Sequence, residues 1–280
     1  MTRPFALLMP LSALIITLTV VGVAWMVHDS GAVTRATVES PAPVSQPDAQ
    51  PAPQQRRQVG DVCQGVIKRP EKGQPVAFDP QYTQQRHVLG LTIVGDARVS
   101  GAAFDVAEAT IKRMFSGNAL EERLVEEGAY VVIADRSQGV LDLPEFKCLG
   151  GEFGDNFFSN VCGVADRADY PVATVNELDL IGDRRGPCRG LNILYHELGH
   201  LVQGWTLDHP DYLDIKLFYQ AALDSGKYKR AYAARNSNEY FAEGTQAYFL
   251  HVEPEGGKDR AWLKKYDPDL FELLARLYGE

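Results

Sequence analysis

Residues 191–205 read LNILYHELGHLVQGW. Leu191, Leu194, Leu198 and Leu201 recur at spacings of three, four and three, the period of one helix face. The pattern predicts a helix over Leu191–Gln203 that stops before Gly204. His196 and His200 stand four residues apart and share the opposite face, about 6 Å from one another. The leucine face can pack inward while the histidine face looks into a cleft. Two imidazoles so placed can aim ring nitrogens at one Zn²⁺, whose nitrogen ligands sit at about 2.0–2.1 Å. Glu197 lies about 100° round the helix, off the ligand face but able to take a proton from an attacking water.

Catalytic zinc takes three protein ligands, so a third must come from elsewhere. The pattern H-E-x-x-H-x-x-G-x-x-H is excluded, because Gln203 and Thr206 stand where it needs glycine and histidine. His209, just before Pro210, reads as a turn or cap residue. The segment at 234–249, ARNSNEYFAEGTQAYF, offers two carboxylates instead. A helix from about Asn238 to Leu250, capped by Ser237 or Asn238, puts Glu239 and Glu243 on one face. One carboxylate can ligate the metal. The other can accept the N–H of a ligating histidine and fix its tautomer. Such a pair is costly to bury unpartnered on so apolar a helix.

HELGH followed by E-Y-F-A-E resembles the zinc metallopeptidases of the anthrax lethal factor type, a gluzincin group that includes secreted Pro-Pro endopeptidases. The resemblance covers roughly residues 188–250 and says little about residues 60–187. It implies that Glu239 is the third zinc ligand. It also implies that Tyr232, seven residues earlier, stabilises the tetrahedral intermediate. Helix spacing adds Glu197 as the catalytic base and Glu243 behind a histidine. The implied fold is a zincin-like, two-lobed metallopeptidase domain.

The rest of the chain is read from its own residues. His87–Val94 and Ala129–Ala134 are rich in β-branched residues and read as strands. Between them Phe104, Ala107, Ile111 and Phe115 mark a helix over Ala103–Phe115. Tyr170–Val175 reads as an edge strand, since Pro171 cannot donate to an interior ladder. Helices are expected over Asp211–Leu223 and from Pro268, with Asp267 as a cap, to Tyr278. The fold class is therefore α+β, a small mixed sheet with helices in the first lobe and a helical second lobe.

Phe5–Val27 is almost uninterruptedly apolar and long enough to cross a bilayer. It reads as an uncleaved signal anchor within residues 1–28, with a cleaved signal peptide as the alternative. Residues 29–59 hold Pro41, Pro43, Pro47, Pro51 and Pro53 and read as a disordered, extended stalk. Residues 60–280 are the expected zinc metallopeptidase domain.

All four cysteines fall in this third segment, and an even number in an exported chain suggests two disulfides. Cys148 with Cys162 would close the Gly-rich loop between them and leave Cys63 with Cys188. A four-cysteine zinc site would want a C-x-x-C pair, and there is none.

The 28 Lys+Arg against 37 Asp+Glu give a net charge of −9, which argues against broad nucleic-acid binding. With 45% hydrophobic and 23% charged residues, the chain is neither wholly disordered nor a multi-span membrane protein. The expected protein is an exported zinc endopeptidase, one Zn²⁺ per chain, held at the membrane by residues 5–27 with its catalytic domain outside the cytoplasm. Its partner is a peptide or protein substrate. Three other readings compete: a zinc-binding envelope adaptor that cleaves nothing, a metallohydrolase of non-peptide amides, and a purely structural stalked domain.

Overall fold

In QQRHVLGLTIVG at 84–95 the apolar run does not form one strand. Leu89 and Gly90 both take positive φ (48° and 90°), the two-residue turn whose twist matches a hairpin. The expected strand His87–Val94 is thus two antiparallel strands, β1 (Gln84–Val88) and β2 (Leu91–Gly95), with Val88 opposite Leu91. A leucine in the left-handed region is uncommon, so the turn carries no Asn-Gly signal in the sequence.

The computed structural model describes residues 71–147, 161–165, 170–250 and 257–279. Residues 1–28 and 29–59, with the apolar run Phe5–Val27, lie outside them, as do Cys63 and Cys148. No helix among the described residues is long and apolar enough to cross a membrane.

Two further strands run parallel to β2: β3 (Tyr130–Ala134) and β5 (Val172–Asn176). The two-residue β4 (Gly163–Val164) pairs antiparallel with β5. The sheet is mixed, in the order β1-β2-β3-β5-β4. β5 is therefore not the expected edge strand. Pro171 sits just before its first ladder residue, where its carbonyl still accepts from the Tyr130 N–H at 3.2 Å. A proline there removes no interior donor, and β4 takes the edge instead.

Side chains alternate across this sheet. Ile93, Val131, Ile133, Ala173 and Val175 join one core with Phe104, Ala107 and Ile111 of α1 (Gly101–Phe115). Ser100 caps α1 by accepting from the Ala103 N–H. Val94, Tyr130, Val132 and Val172 join a smaller core on the other face, with Tyr82, Leu143, Phe146 and Tyr170. There the buried Glu145 carboxylate accepts from Tyr82 Oη at 2.5 Å and Tyr130 Oη at 2.6 Å. Burial first, and the Glu145 charge second, push both phenols well above the ordinary tyrosine range.

Short helices α2 (Leu120–Glu126) and α3 (Glu177–Leu180) connect the strands. The second half is helical: α4 (Leu194–Trp205), α5 (His209–Asp224), α6 (Ser237–Phe249), α7 (Arg260–Tyr266) and α8 (Pro268–Tyr278). Leu198, Leu201, Tyr240, Phe241, Tyr248, Leu270 and Leu274 bury themselves in one core that continues under the sheet. Described residues thus form an α+β domain with a five-stranded mixed sheet.

Several boundaries move from their expected places. Leu191–Ile193 precede α4, because the Asn192 side chain accepts from the Leu194 N–H at 3.0 Å. Asparagine prefers that capping role to a helix interior. At the other end α4 runs through Gly204 to Trp205, whose half-buried ring packs on the core. That packing outweighs a glycine cost of about 1 kcal/mol. α5 starts at His209, which is exposed.

Candidate metal centre

α4 brings two imidazoles to one side of the helix. Their ring centroids are 4.7 Å apart, with the planes at 80°. His196 Nε2 and His200 Nε2 face each other at 3.1 Å. From α6, Glu239 Oε2 reaches His196 Nε2 at 3.2 Å and His200 Nε2 at 3.5 Å. The three atoms make a nearly equilateral triangle. A tetrahedral zinc with ligands at about 2.0–2.1 Å would space any two of them about 3.3 Å apart. The donor set therefore fits one face of a zinc tetrahedron.

The electrostatics agree with that fit. Glu239 is 8% exposed. Its Oε2 is buried and meets no donor in hydrogen-bonding geometry among the described residues. Burial alone would push its carboxyl up, but the imidazoles of His196 and His200 outweigh it and hold the group at about 2. A buried carboxylate whose Oε2 faces two ring nitrogens without good hydrogen-bond geometry is an arrangement that a cation would complete.

The third donor is delivered by close helix packing. A Cβ on Gly199 would stand 3.1 Å from Thr245 Cβ and 3.2 Å from Ala242 Cα, tighter than a helix pair accepts without shifting. Glycine between the histidines thus lets α4 and α6 approach until Glu239 meets the imidazoles. Asn236 caps α6, accepting from the N–H groups of Asn238 at 2.9 Å and Glu239 at 2.8 Å. The cap is neither Ser237 nor Asn238, as the sequence had suggested. It fixes the backbone of Glu239 itself.

Glu243 lies one turn further along α6. Its Oε1 is 3.6 Å from His196 Nδ1, and its Oε2 pairs with Lys258 Nζ at 3.2 Å. A carboxylate beside Nδ1 favours the tautomer that leaves the Nε2 lone pair facing the Glu239 side.

Glu197 is 5% exposed. It lies under β4, where a Cβ on Gly163 would come within 2.9 Å of Glu197 Oε1. Tyr232 opens a short 3₁₀ turn, Tyr232–Ala234, and is 43% exposed. Its ring centroid is 6.1 Å from that of His196. Burial first, then the Glu239 carboxylate, raise its phenol above the ordinary range, with a smaller push from Glu197. Tyr232 is therefore a protonated donor at neutral pH. The structure gathers Glu197, Tyr232, His196, His200, Glu239 and Glu243 at one place, whereas His209 lies at the exposed start of α5.

The loop that carries Tyr232 is strained and anchored. Tyr228 and Arg230 have φ of 57° and 65°. Strain of this kind persists only where packing over-determines it. Tyr228 stacks edge-on against Tyr240 and Tyr266, and its N–H donates to Tyr266 Oη at 2.8 Å. The expected cap Asp267 makes no capping hydrogen bond. Its buried carboxylate instead accepts from Lys227 Nζ at 3.0 Å and Tyr240 Oη at 2.8 Å. One carboxylate thus ties this loop to the helix of Glu239.

Sequence reasoning missed Gln246. Its Oε1 accepts from the His196 N–H, and its Nε2 donates to the Asn192 carbonyl, both at 3.1 Å. α6 therefore completes the first turn of α4, where N–H groups have no helical partner. Fifty residues separate Gln246 from His196, and no local pattern announces such a contact. Gln246→Ala is expected to cost about 1–3 kcal/mol by leaving that N–H unpaired. A thermal melt should show a Tm several degrees lower.

The expected disulfides are corrected. Cys162 bonds to Cys188, with Cα atoms 5.5 Å apart. That excludes both Cys148 with Cys162 and Cys63 with Cys188. The shortest loop was a poor guide, because β4 lays Cys162 beside the approach to α4. Cys162, Asp179 and Cys188 have donor atoms within metal range of one another. The sulfurs are joined, however, and the buried Asp179 carboxylate already accepts from the N–H groups of Cys188 (3.0 Å) and Gly190 (2.9 Å).

No protein-family model matches the chain, and a search of curated proteins returns no match.

Proposed function

We propose that this protein is an exported zinc endopeptidase of the gluzincin type, similar to the lethal factor group, held at the membrane by residues 5–27. The observation that carries the reading is the triangle of His196 Nε2, His200 Nε2 and Glu239 Oε2, with sides of 3.1, 3.2 and 3.5 Å. Zinc held there would polarise a scissile carbonyl and make water nucleophilic near neutral pH. Glu197 accepts a proton from the attacking water and returns it to the departing amine. Tyr232 donates its phenolic hydrogen to the oxygen on which charge develops. Glu243 orients His196 through Nδ1.

Metal analysis of the full chain and digestion of a peptide library test this together. Zinc near one per chain and cleavage that a chelator abolishes and zinc restores are the expected results. Absence of bound zinc would defeat the reading. Zinc without peptide cleavage would move it to an adaptor or to a hydrolase of other amides. Tyr232→Phe is expected to lower kcat about a hundredfold with little change in KM, the loss seen when an oxyanion donor is removed. Steady-state kinetics on one cleaved peptide decide this.

A further inference from the structure

β4 is a weak strand in a demanding position. It has two residues, lies at the sheet edge, and among the described residues pairs with one neighbour. Its ladder consists of Gly163 opposite Val175 and Val164 opposite Thr174. One more bond, from the Asn176 N–H to the Cys162 carbonyl at 3.0 Å, precedes it. Strands this short hold their register poorly by themselves. Yet the backbone at Gly163 is pressed against the site. A Cβ there would collide with the Thr174 carbonyl, and would stand 2.8 Å from Ile193 Cδ1 and 2.9 Å from Glu197 Oε1. Small displacements of β4 therefore change the wall beside Glu197.

Cys162 immediately precedes Gly163, and its sulfur is bonded to Cys188. Cys188 belongs to a loop that is itself fixed. Its N–H and that of Gly190 donate to the buried Asp179 carboxylate, and the Leu191 N–H donates to the Cys188 carbonyl at 3.1 Å. Asn192 follows, bonded to α4 by its side chain, to Gln246 through its carbonyl and to Thr110 at 3.0 Å. The disulfide thus links the edge strand to the root of the helix that bears His196, Glu197 and His200. Both cysteines are partly buried against the main core.

We propose that the Cys162–Cys188 disulfide is a positioning element for the reaction: it sets β4 against Glu197, and opening it lowers peptide cleavage without releasing zinc. This rests on the endopeptidase reading given above. None of His196, His200 and Glu239 lies on β4 or in the Cys188 loop, and Glu239 and Gln246 of α6 contact the histidine helix without passing through the bond. A water-soluble phosphine would open it. Phosphorus attacks one sulfur, the S–S bond breaks, and water supplies the oxygen of the phosphine oxide and the two hydrogens of the thiols. The protein is reduced by two electrons and the phosphine is oxidised by two.

The test uses the full-length Cys162→Ser/Cys188→Ser variant beside the wild type. Three quantities are read: zinc per chain, kcat and KM separately on one peptide, and amide hydrogen exchange across Cys162–Ala165. The expected variant keeps one zinc per chain, loses about tenfold in kcat/KM mainly through a lower kcat, and exchanges at least tenfold faster at β4 but not in α4. Phosphine should reproduce these changes in the wild type and alter nothing further in the variant, and reoxidation should reverse them. Wild-type kcat, or unchanged β4 exchange, in a zinc-loaded variant would overturn the proposal. So would loss of zinc together with activity, since the bond would then support the fold as a whole. If the variant does not fold, phosphine treatment of the folded wild type gives the same readings. If the wild type cleaves no peptide, the endopeptidase reading fails. The exchange measurement still decides whether the disulfide holds β4.

Discussion

Glu197→Gln is expected to lower peptide cleavage by about 10²–10⁴-fold, the usual worth of a positioned general base. Zinc content should stay near one per chain. The two halves of this result come from the helix. Glu197 follows His196 directly, so it points away from the ligand face and contributes no atom to the triangle of donors. Glutamine has nearly the same volume, which matters at a position 5% exposed and packed under Gly163. It cannot accept a proton from water at any working pH. Metal analysis alongside a single-peptide assay separates the outcomes. Undiminished cleavage would remove Glu197 from the chemistry, and loss of zinc would place it among the ligands.

Glu239→Gln should act at the opposite point, on the metal. A neutral amide keeps an oxygen but lacks the charge that the His196 and His200 imidazoles hold ionised, with the carboxyl at about 2. Loss of a partner behind a ligand typically weakens metal binding about 10–100-fold. Loss of a direct anionic ligand should exceed that. A Tm measured against zinc concentration reads the effect, because a ligand that binds only the folded state stabilises it by about 2.7 kcal/mol at a hundred times its Kd. Wild-type Tm should climb with added zinc, and the variant's should stay flat over the same range. A parallel rise in both would exclude Glu239 as a ligand.

The second half of the chain was legible because its signals are local. The leucine spacing of α4 and the prolines opening α5 and α8 act within one or two turns of helix, so the elements follow from them with ends displaced by a few residues. The histidine pair and the two glutamates are equally local, since spacings of four residues put side chains on one face whatever the surroundings.

The first half resisted for a physical reason. Leu89 adopts positive φ only because the strands on either side pair. β4 has too few residues to carry a pattern. Pro171 forbids an interior strand only where it falls on a donating ladder position, and its offset from the ladder is a property of the paired sheet. Asp267 has a capping residue's sequence context but spends its carboxylate on Lys227 and Tyr240, partners 40 and 27 residues away.

From the chain alone came the kinds of side chain at the site and their grouping within each helix, because a helix converts spacing into direction with no help from the rest of the protein. Which sulfurs join, how near α6 comes to α4 at Gly199, and which amide closes the first turn above His196 were settled by folding. Each depends on two segments far apart in sequence meeting at van der Waals distance, and only packing of the whole core fixes that.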